Sequence, residues 1–158
     1  MLALRSSVID TWSHGAVRMH DVFTNPPEEA LRALLLRVKT VAVVGLSPKS
    51  YRPSHHVARN LKAFGYRIIP VYHGVDEVLG ECAYARLIDI GEPVDLVNVF
   101  RAPQHVRGVI EECLAADMKA LWLQEGVVDT KAALHAACAG MTVVMDRCIY
   151  RDYLRLMG

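Results

Sequence analysis

The residues with the clearest potential for chemistry are hydroxyl-bearing and basic side chains clustered in one short stretch of the chain. Ser47 and Ser54 supply hydroxyl groups, and Lys49 and Arg52 supply positive charges between them. Hydroxyl groups and cations are the side chains that hydrogen-bond to phosphate oxygens and neutralise their charge. This stretch is therefore predicted to bind a phosphorylated ligand.

The predicted phosphate-binding stretch lies between a predicted strand and a predicted helix. Residues 41–44 read Val-Ala-Val-Val, a run without polar alternation that is typical of a parallel strand buried on both faces. Gly45 allows the chain to turn sharply, and Pro53 suits the first position of a helix, where a missing N–H costs nothing. The helix would then point its free N–H groups and its positive end at the same place as the cations.

Strand-like and helix-like segments alternate through the rest of the chain, which predicts an α/β fold. Asn25 is predicted to cap the first helix with Glu28 as its capping-box partner, and Asp129 is predicted to cap a later helix. Residues 75–90 are expected to hold a short helical turn and irregular structure. The alternation predicts three α/β/α layers around a doubly wound, mainly parallel five-stranded sheet. The predicted strands lie near residues 40–44, 66–72, 95–100, 119–124 and 141–145.

Length and composition limit the possible classes of protein. A chain of 158 residues with 53% hydrophobic and 22% charged residues fits one compact domain, predicted at residues 25–156. The net charge of +1 gives no reason to expect nucleic acid as a partner. The apolar runs are too short to span a membrane and no secretion signal is recognisable, so we expect a cytoplasmic protein. Residues 1–20 are predicted to be a loosely ordered extension, with Met19 as an alternative start.

The four cysteines have no paired spacing that would indicate a metal site or a disulfide framework. Cys82, Cys113 and Cys138 are predicted to be reduced core thiols because their neighbours are apolar or small. Cys148 is expected to be half-buried next to the cation of Arg147, which makes it a candidate for redox chemistry. No metal-ligand cluster and no Ser-His-Asp or Cys-His set can be assembled from the motifs.

The ligand of such a sheet is expected beyond the carboxyl ends of the strands, where the strand order reverses. The dinucleotide fingerprint is absent, because Ser47 stands where its second glycine would be and Val71-Tyr72-His73 ends the second strand without an acidic residue. NAD is therefore disfavoured. The P-loop pattern is also missing, which argues against ATP hydrolysis of that kind.

Five motifs in consistent order resemble those of the small stand-alone CoA-binding proteins. These proteins are similar in fold to the CoA-binding domain of succinyl-CoA synthetase, and the resemblance covers roughly residues 25–156. The motifs are V-A-V-V-G-L-S-P-K-x-x-R-P-S at 41–54, G-Y-R-I-I-P-V at 65–71, V-F-R at 99–101, L-W-L-Q-x-G at 121–126 and V-V-M-D-R-C-I at 143–149.

The resemblance implies a Rossmann-like domain that binds coenzyme A or an acyl-CoA, and it assigns the contacts by position. Tyr72 and His73 replace a polar Asn and a second proline of the family pattern, and Tyr72 offers a ring for stacking on adenine instead. The implied phosphate loop consists of Gly45, Ser47, Lys49, Arg52 and Ser54. The resemblance further implies that Pro70 and Val71, together with Tyr72, line the adenine side. Phe100 and Arg101 would form the next wall, and Gln124 and Gly126 the far edge.

The leading hypothesis is a CoA carrier, sensor or regulatory module without catalysis of its own, acting with a protein partner or as a homodimer. One alternative is an NAD(P)-dependent reductase or a CoA-thioester enzyme that borrows residues from a partner chain. A second is a redox-responsive protein in which Cys148 forms a mixed disulfide with CoA. Two structural alternatives also stay open: Lys49 and Arg52 as solvated loop charges, and Arg101 as an ion-pair partner of Asp146.

Overall fold

The computed structural model describes residues 22–158, so the predictions for residues 1–20, including Met19 as a start, lie outside it. This part of the chain contains five α-helices, and none of them is long and apolar enough to cross a membrane. The helices are α1 (Glu28–Arg37), α2 (Pro53–Ala63), α3 (Val106–Ala115), α4 (Thr130–Cys138) and α5 (Ile149–Met157).

A parallel sheet of five strands forms the centre of the fold in the order β2-β1-β5-β6-β7. Its strands are β1 (Thr40–Val44), β2 (Arg67–Val71), β5 (Leu96–Val99), β6 (Ala120–Leu123) and β7 (Thr142–Val144). The chain moves outward from β1 to β2 and then returns to place β5 on the other side of β1. The strand order therefore reverses between β1 and β5, and the predicted doubly wound α/β fold is confirmed.

Two apolar cores cover the two faces of the sheet because alternate residues of each strand point to opposite sides. On one face, Val97 and Val99 pack with α3 and α4. On the other face, Leu96 and Trp122 pack with α1, α2 and α5. Trp122 is fully buried, and its indole N–H donates to the backbone oxygen of Arg147 at 2.9 Å. The three-layer arrangement therefore has a complete hydrophobic core on each side.

Asn25 does not cap α1, contrary to the prediction. The N-cap is Pro27, which is extended and makes no side-chain capping bond, because consecutive prolines favour an extended chain before the helix. The Asn25 amide instead donates to the backbone oxygen of Met145 at 2.9 Å and accepts from its N–H at 2.7 Å. Asn25 thus ties the segment before α1 to the end of β7. The predicted Asp129 cap of α4 is confirmed by its bond from the N–H of Ala132 at 3.0 Å.

Residues 75–90 contain more regular structure than the sequence indicates. The expected helical turn is present as a 3-10 helix (Leu87–Asp89), but it follows a short antiparallel hairpin of β3 (Glu77–Val78) and β4 (Glu81–Cys82). Leu79 and Gly80 form the turn with positive φ angles of 56° and 75°. Two positive φ angles in succession are the requirement of a type I′ hairpin turn, and leucine is a rare residue there.

The cysteines differ from the prediction at two positions. Cys113 is buried in the core beside α4, as expected, and this burial raises the pKa of its thiol to about 12. Cys82 and Cys138 are exposed instead of buried, because Cys82 lies in the surface hairpin and Cys138 ends α4 on its solvent side. Cys148 is partly buried, as expected.

Candidate nucleotide-binding site

A cavity of about 690 Å³ lies at the carboxyl edge of the sheet, on the face covered by α2 and α5. It opens beside the ends of β1 and β5, between which the strand order reverses, and this is where a doubly wound sheet binds its ligand. We call it the main cavity. Its walls are formed by Gly45, Ser47, Lys49, Arg52, Pro53, Ser54, Val57, Tyr72, Phe100, Gln124, Glu125, Val127, Cys148 and Arg151.

The two serines of the loop after β1 fix the shape of that loop. The Ser54 hydroxyl accepts a hydrogen bond from the N–H of Ser47 at 3.0 Å, and the Ser47 hydroxyl accepts one from the N–H of Lys49 at 3.1 Å. Both serines are buried. Each hydroxyl still has its own proton to donate to a further acceptor. The serines therefore preorganise the loop and can also serve as donors to an anion.

The N-terminus of α2 faces the main cavity. Arg52 is the extended N-cap, Pro53 is the first helical residue, and no side chain caps the first turn. Pro53 has no N–H, and the N–H groups of His55 and His56 donate to the backbone oxygen of Arg52 at 3.1 Å. The N–H of Ser54 and the positive end of the helix dipole are left available to a ligand. This arrangement is suited to binding phosphate.

Two of the predicted cations line the main cavity and have no carboxylate partner within residues 22–158. Lys49 is exposed, and the guanidinium carbon of Arg52 lies 5.6 Å from the centre of the Tyr51 ring. Arg151 is a third cation in the wall, which the sequence reasoning did not identify. It pairs with Glu125, and the side chains of Cys148 and Glu125 raise its pKa. The mouth of the cavity is thus more positive than the nearly neutral chain as a whole.

Gly45 allows two strands to approach each other closely at the base of the main cavity. Its φ angle is +83°, and its N–H donates to the backbone oxygen of Val71 at 2.8 Å. A Cβ atom at this position would lie 2.2 Å from the backbone oxygen of Phe100. The contact that requires a glycine is therefore with the end of β5.

Gln124 and Gly126 join the loop after β6 to the start of α5. The buried Gln124 side chain accepts from the N–H of Ile149 at 3.0 Å and so anchors the first turn of α5. The N–H of Gly126 donates to a carboxylate oxygen of Asp146 at 2.8 Å. Asp146 forms no ion pair with Arg101 within the described residues, so that alternative is wrong. These contacts hold Cys148 and Arg151 in the wall of the main cavity.

The remaining predicted residues lie elsewhere. Val71 and Arg101 line a neighbouring cavity of about 210 Å³ beside α3, and Tyr72 lines both cavities. Pro70 is buried in the edge strand β2, where its backbone oxygen accepts from the N–H of Tyr84 at 3.0 Å. Gly126 stands between two residues of the main cavity wall without being part of it. The structure therefore brings together the phosphate loop, Tyr72, Phe100 and Gln124 around the main cavity. Arg101 lines the neighbouring cavity instead, although its Cδ atom lies only 3.2 Å from the position that a Cβ atom on Gly45 would occupy.

Among residues 22–158, no histidine and no candidate metal centre lies in the walls of the main cavity. The His56 ring lies edge-on against Tyr150 with centroids 5.5 Å apart, outside the cavity. His55 is partly buried, and burial and the charge of Arg59 lower its pKa. Residues 22–158 hold no group of three or more His, Cys, Asp or Glu side chains that could bind a metal ion.

The sheet topology and the cavity at the strand reversal define a Rossmann-like α/β protein. A family model described as a CoA binding domain matches residues 39–153. The chain belongs to this family, as the sequence motifs suggested.

Three proteins illustrate the range of similarity. The chain is 42% identical over 125 residues to an uncharacterized protein of Bacillus subtilis (strain 168), YneT, with 79% of this chain and 93% of that protein covered. It is 31% identical over 75 residues to an ADP-forming acetate–CoA ligase of Methanocaldococcus jannaschii, covering 48% of this chain and 11% of the ligase. A solved structure of a hypothetical protein from Pyrococcus horikoshii OT3 superposes with a TM-score of 0.80 at 33% identity, covering 89% and 97% of the two chains.

Proposed function

We propose that this protein binds coenzyme A or an acyl-CoA in the main cavity and acts as a carrier, sensor or regulatory module without catalysis of its own. The observation that carries the proposal is the cavity wall itself. In a protein of the CoA binding domain family, an uncapped helix start and the cations Lys49 and Arg52 line one cavity at the carboxyl edge of the sheet. These groups supply the positive charge and the donors that the phosphates of CoA require.

The composition of the cavity wall favours binding over catalysis. Within the part of the chain that the structure describes, no histidine lines the main cavity, and the single acidic group in its wall, the Glu125 carboxylate, is paired with Arg151. A general base must lie within hydrogen-bonding distance of the proton that it removes. Glu125 is the candidate base in the wall, and its ion pair with Arg151 restrains its carboxylate. The matched region is a small part of the acetate–CoA ligase, so the bond-forming activity of that enzyme is not expected of this chain alone.

Calorimetric titration of the purified, reduced protein tests the proposal. We expect saturable binding of CoA, and we expect dephospho-CoA to bind at least about tenfold more weakly because a charge-assisted contact to the 3′-phosphate is lost. NADP should compete poorly, since the loop lacks the glycines that admit a dinucleotide. A preference for NADP, or no binding of any of the three ligands, would exclude the CoA proposal and favour the reductase alternative or an unrelated ligand.

A second candidate function, redox modification by CoA, is favoured by the position of Cys148. This partly buried residue lines the main cavity at the start of α5, next to the Arg151 side chain. The reaction is thiol–disulfide exchange with CoA disulfide. The Cys148 thiolate attacks one sulfur, the S–S bond of CoA disulfide breaks, a Cys148–CoA disulfide forms, and one CoA thiolate leaves.

Intact-mass analysis after incubation with CoA disulfide tests this second candidate. We expect one CoA adduct per chain, lost in Cys148→Ser, and a slower reaction with glutathione disulfide because glutathione lacks the nucleotide that the cavity is proposed to bind. The exposed Cys82 and Cys138 are internal controls, since neither lines the main cavity. Equal labelling of all exposed thiols, or an adduct that survives in Cys148→Ser, would contradict a specific site.

A further inference from the structure

Cys148 occupies the N-cap position of α5 and lines the main cavity. Its side chain makes no capping hydrogen bond, and within residues 22–158 the N–H groups of Tyr150 and Arg151 donate to no group. A hydrogen bond with the Cys148 side chain raises the pKa of the Arg151 guanidinium. A helix N-terminus and a neighbouring arginine are the surroundings in which a cysteine acts as a nucleophile.

The Gln124 amide presents an unused hydrogen-bond donor at the same place. Gln124 lines the main cavity and is only 4% exposed. Its Oε1 accepts from the N–H of Ile149 at 3.0 Å, which fixes the orientation of the amide and leaves Nε2 without a partner in the described part of the chain. The fully buried unpartnered side-chain atoms of that part belong to His55, Asn98 and Glu112, so Nε2 of Gln124 retains accessible surface. It can therefore donate to an occupant of the main cavity beside Cys148.

A smaller cavity of about 170 Å³ adjoins the main cavity at Cys148 and Arg151. We call it the polar cavity, because all of its lining residues are polar or charged: Glu125, Asp146, Arg147, Cys148, Arg151 and Asp152. An ion pair of 2.6 Å joins Arg147 to the buried Asp152 and fixes this wall. A long hydrocarbon chain would take hydration from these groups without replacing their hydrogen bonds. The polar cavity therefore suits a short chemical group attached at Cys148.

We propose that Cys148 accepts the acyl group of a bound short-chain acyl-CoA and that the protein carries this group as a thioester. The inference rests on the proposed binding of an acyl-CoA and makes the carrier function covalent. The Cys148 thiol gives its proton to solvent, and the thiolate attacks the carbonyl carbon of the acyl-CoA. A bond from that carbon to the Cys148 sulfur forms, its bond to the CoA sulfur breaks, and the CoA thiolate leaves and takes a proton from solvent. Nε2 of Gln124 donates to the carbonyl oxygen, where negative charge develops during the attack.

This exchange is compatible with a cavity wall that offers no free general base. The nucleophile is the thiolate itself, so no base has to remove a proton during the attack. One thioester replaces another, and no oxidant or source of energy is consumed. Each chain ends the reaction acylated, which is a modification of the protein and not a catalytic turnover. Added CoA should reverse it.

Intact-mass analysis after incubation of the full chain with acetyl-CoA tests the proposal. A phosphine reductant is present, because it cleaves disulfides but not thioesters. We expect one acetyl group per chain, located on Cys148 by peptide mapping and removed by neutral hydroxylamine or by excess CoA. S-acetyl-N-acetylcysteamine, a thioester without the nucleotide, should acetylate Cys148 at least about a hundredfold more slowly at equal concentration. Octanoyl-CoA should react at least about tenfold more slowly than acetyl-CoA.

Gln124→Glu is the matched variant for the donor, since glutamate keeps an acceptor for the N–H of Ile149 and removes Nε2. We expect the acetylation rate at saturating acetyl-CoA to fall by about 10²-fold while the calorimetric Kd for CoA changes by less than about tenfold. Cys148→Ala should abolish acetylation. Cys82→Ala/Cys138→Ala should leave it unchanged, because these two exposed thiols lie outside the main cavity.

The outcomes separate this inference from the proposed function. If CoA binds but acetyl-CoA leaves Cys148 unmodified, the covalent carrier role is wrong and the CoA proposal stands. Equal acetylation of the exposed cysteines, or an equal rate with S-acetyl-N-acetylcysteamine, would indicate a reaction in free solution and would also overturn the role. An unchanged rate in Gln124→Glu would contradict the assigned donor, and an equal rate with octanoyl-CoA would contradict the polar cavity as the acyl site. If the unmodified protein does not bind CoA at all, both proposals are overturned.

Discussion

Replacing Gly45 with alanine is expected to lower the free energy of unfolding by about 3–5 kcal/mol, which is large for a single substitution because overpacking and backbone strain act together. A positive φ angle of +83° costs a residue with a Cβ roughly 1–2 kcal/mol. The Cβ would also lie 2.2 Å from the backbone oxygen of Phe100, so β1 and β5 must move apart. Equilibrium unfolding in urea, followed by circular dichroism, measures the change.

Gly126→Ala is the matched control for this prediction. Its φ angle of +85° is almost the same, but no atom lies within 4 Å of the position of its Cβ. We expect this variant to lose only the conformational term, about 1–2 kcal/mol. If Gly45→Ala costs no more than Gly126→Ala, the close approach of β1 to β5 does not determine the choice of glycine at position 45.

The order and type of the main elements could be predicted because the sheet is covered on both faces. Residues 41–44 are all buried, so β1 is a continuous apolar run without alternation. The helices are recognisable because each buries one stripe, as α2 does with Val57, Ala58 and Leu61. Local pattern and tertiary packing therefore agree for these elements, and the predicted ranges differ from the observed ones mainly at the ends.

Two of the differences from the prediction depend on partners that are distant in the sequence. Asn25 has the residue type of a helix cap, but it bonds to the backbone of Met145, 120 positions away. Leu79 adopts a positive φ angle in a hairpin whose turn is contacted by Lys62 through a 2.6 Å bond to its backbone oxygen. No local pattern specifies such contacts, because a side chain's preferred partner depends on which elements the fold brings close.

In the candidate site, too, the sequence predicts the residues that local patterns indicate and misses those that depend on distant contacts. The loop from Gly45 to Ser54 could be identified because glycine, hydroxyl groups and cations follow a buried strand directly. Arg151 was missed because its place in the cavity wall depends on the anchoring of α5 by Gln124. Phe100 and Arg101 were expected to form one wall, but neighbouring residues at a strand end point to opposite faces, and they line different cavities.

Removing both loop cations in Lys49→Ala/Arg52→Ala is expected to weaken CoA binding by about 10²–10⁴-fold, the largest effect on affinity that we predict. Each charge-assisted contact to a phosphate contributes on the order of 1.5–3 kcal/mol, and each 1.4 kcal/mol is a factor of ten. Stability should change by less than about 0.5 kcal/mol per substitution, because both residues are exposed and neither pairs with a carboxylate of residues 22–158. Calorimetric titration and urea unfolding of the same preparations measure the two quantities.

Lys119→Ala/Arg37→Ala separates a local effect from a general loss of positive charge. It removes the same net charge from two exposed positions next to the amino ends of β6 and β1, at the opposite edge of the sheet from the main cavity. We expect this control to bind CoA within about threefold of the unmodified protein, since exposed charges beyond a Debye length are screened.

Equal losses in the two double variants would mean that Lys49 and Arg52 act only through the overall electrostatic field of the protein. Unchanged affinity in Lys49→Ala/Arg52→Ala would mean that these two residues are solvated loop charges. The phosphates would then have to be bound by the helix N-terminus and the serine hydroxyls alone.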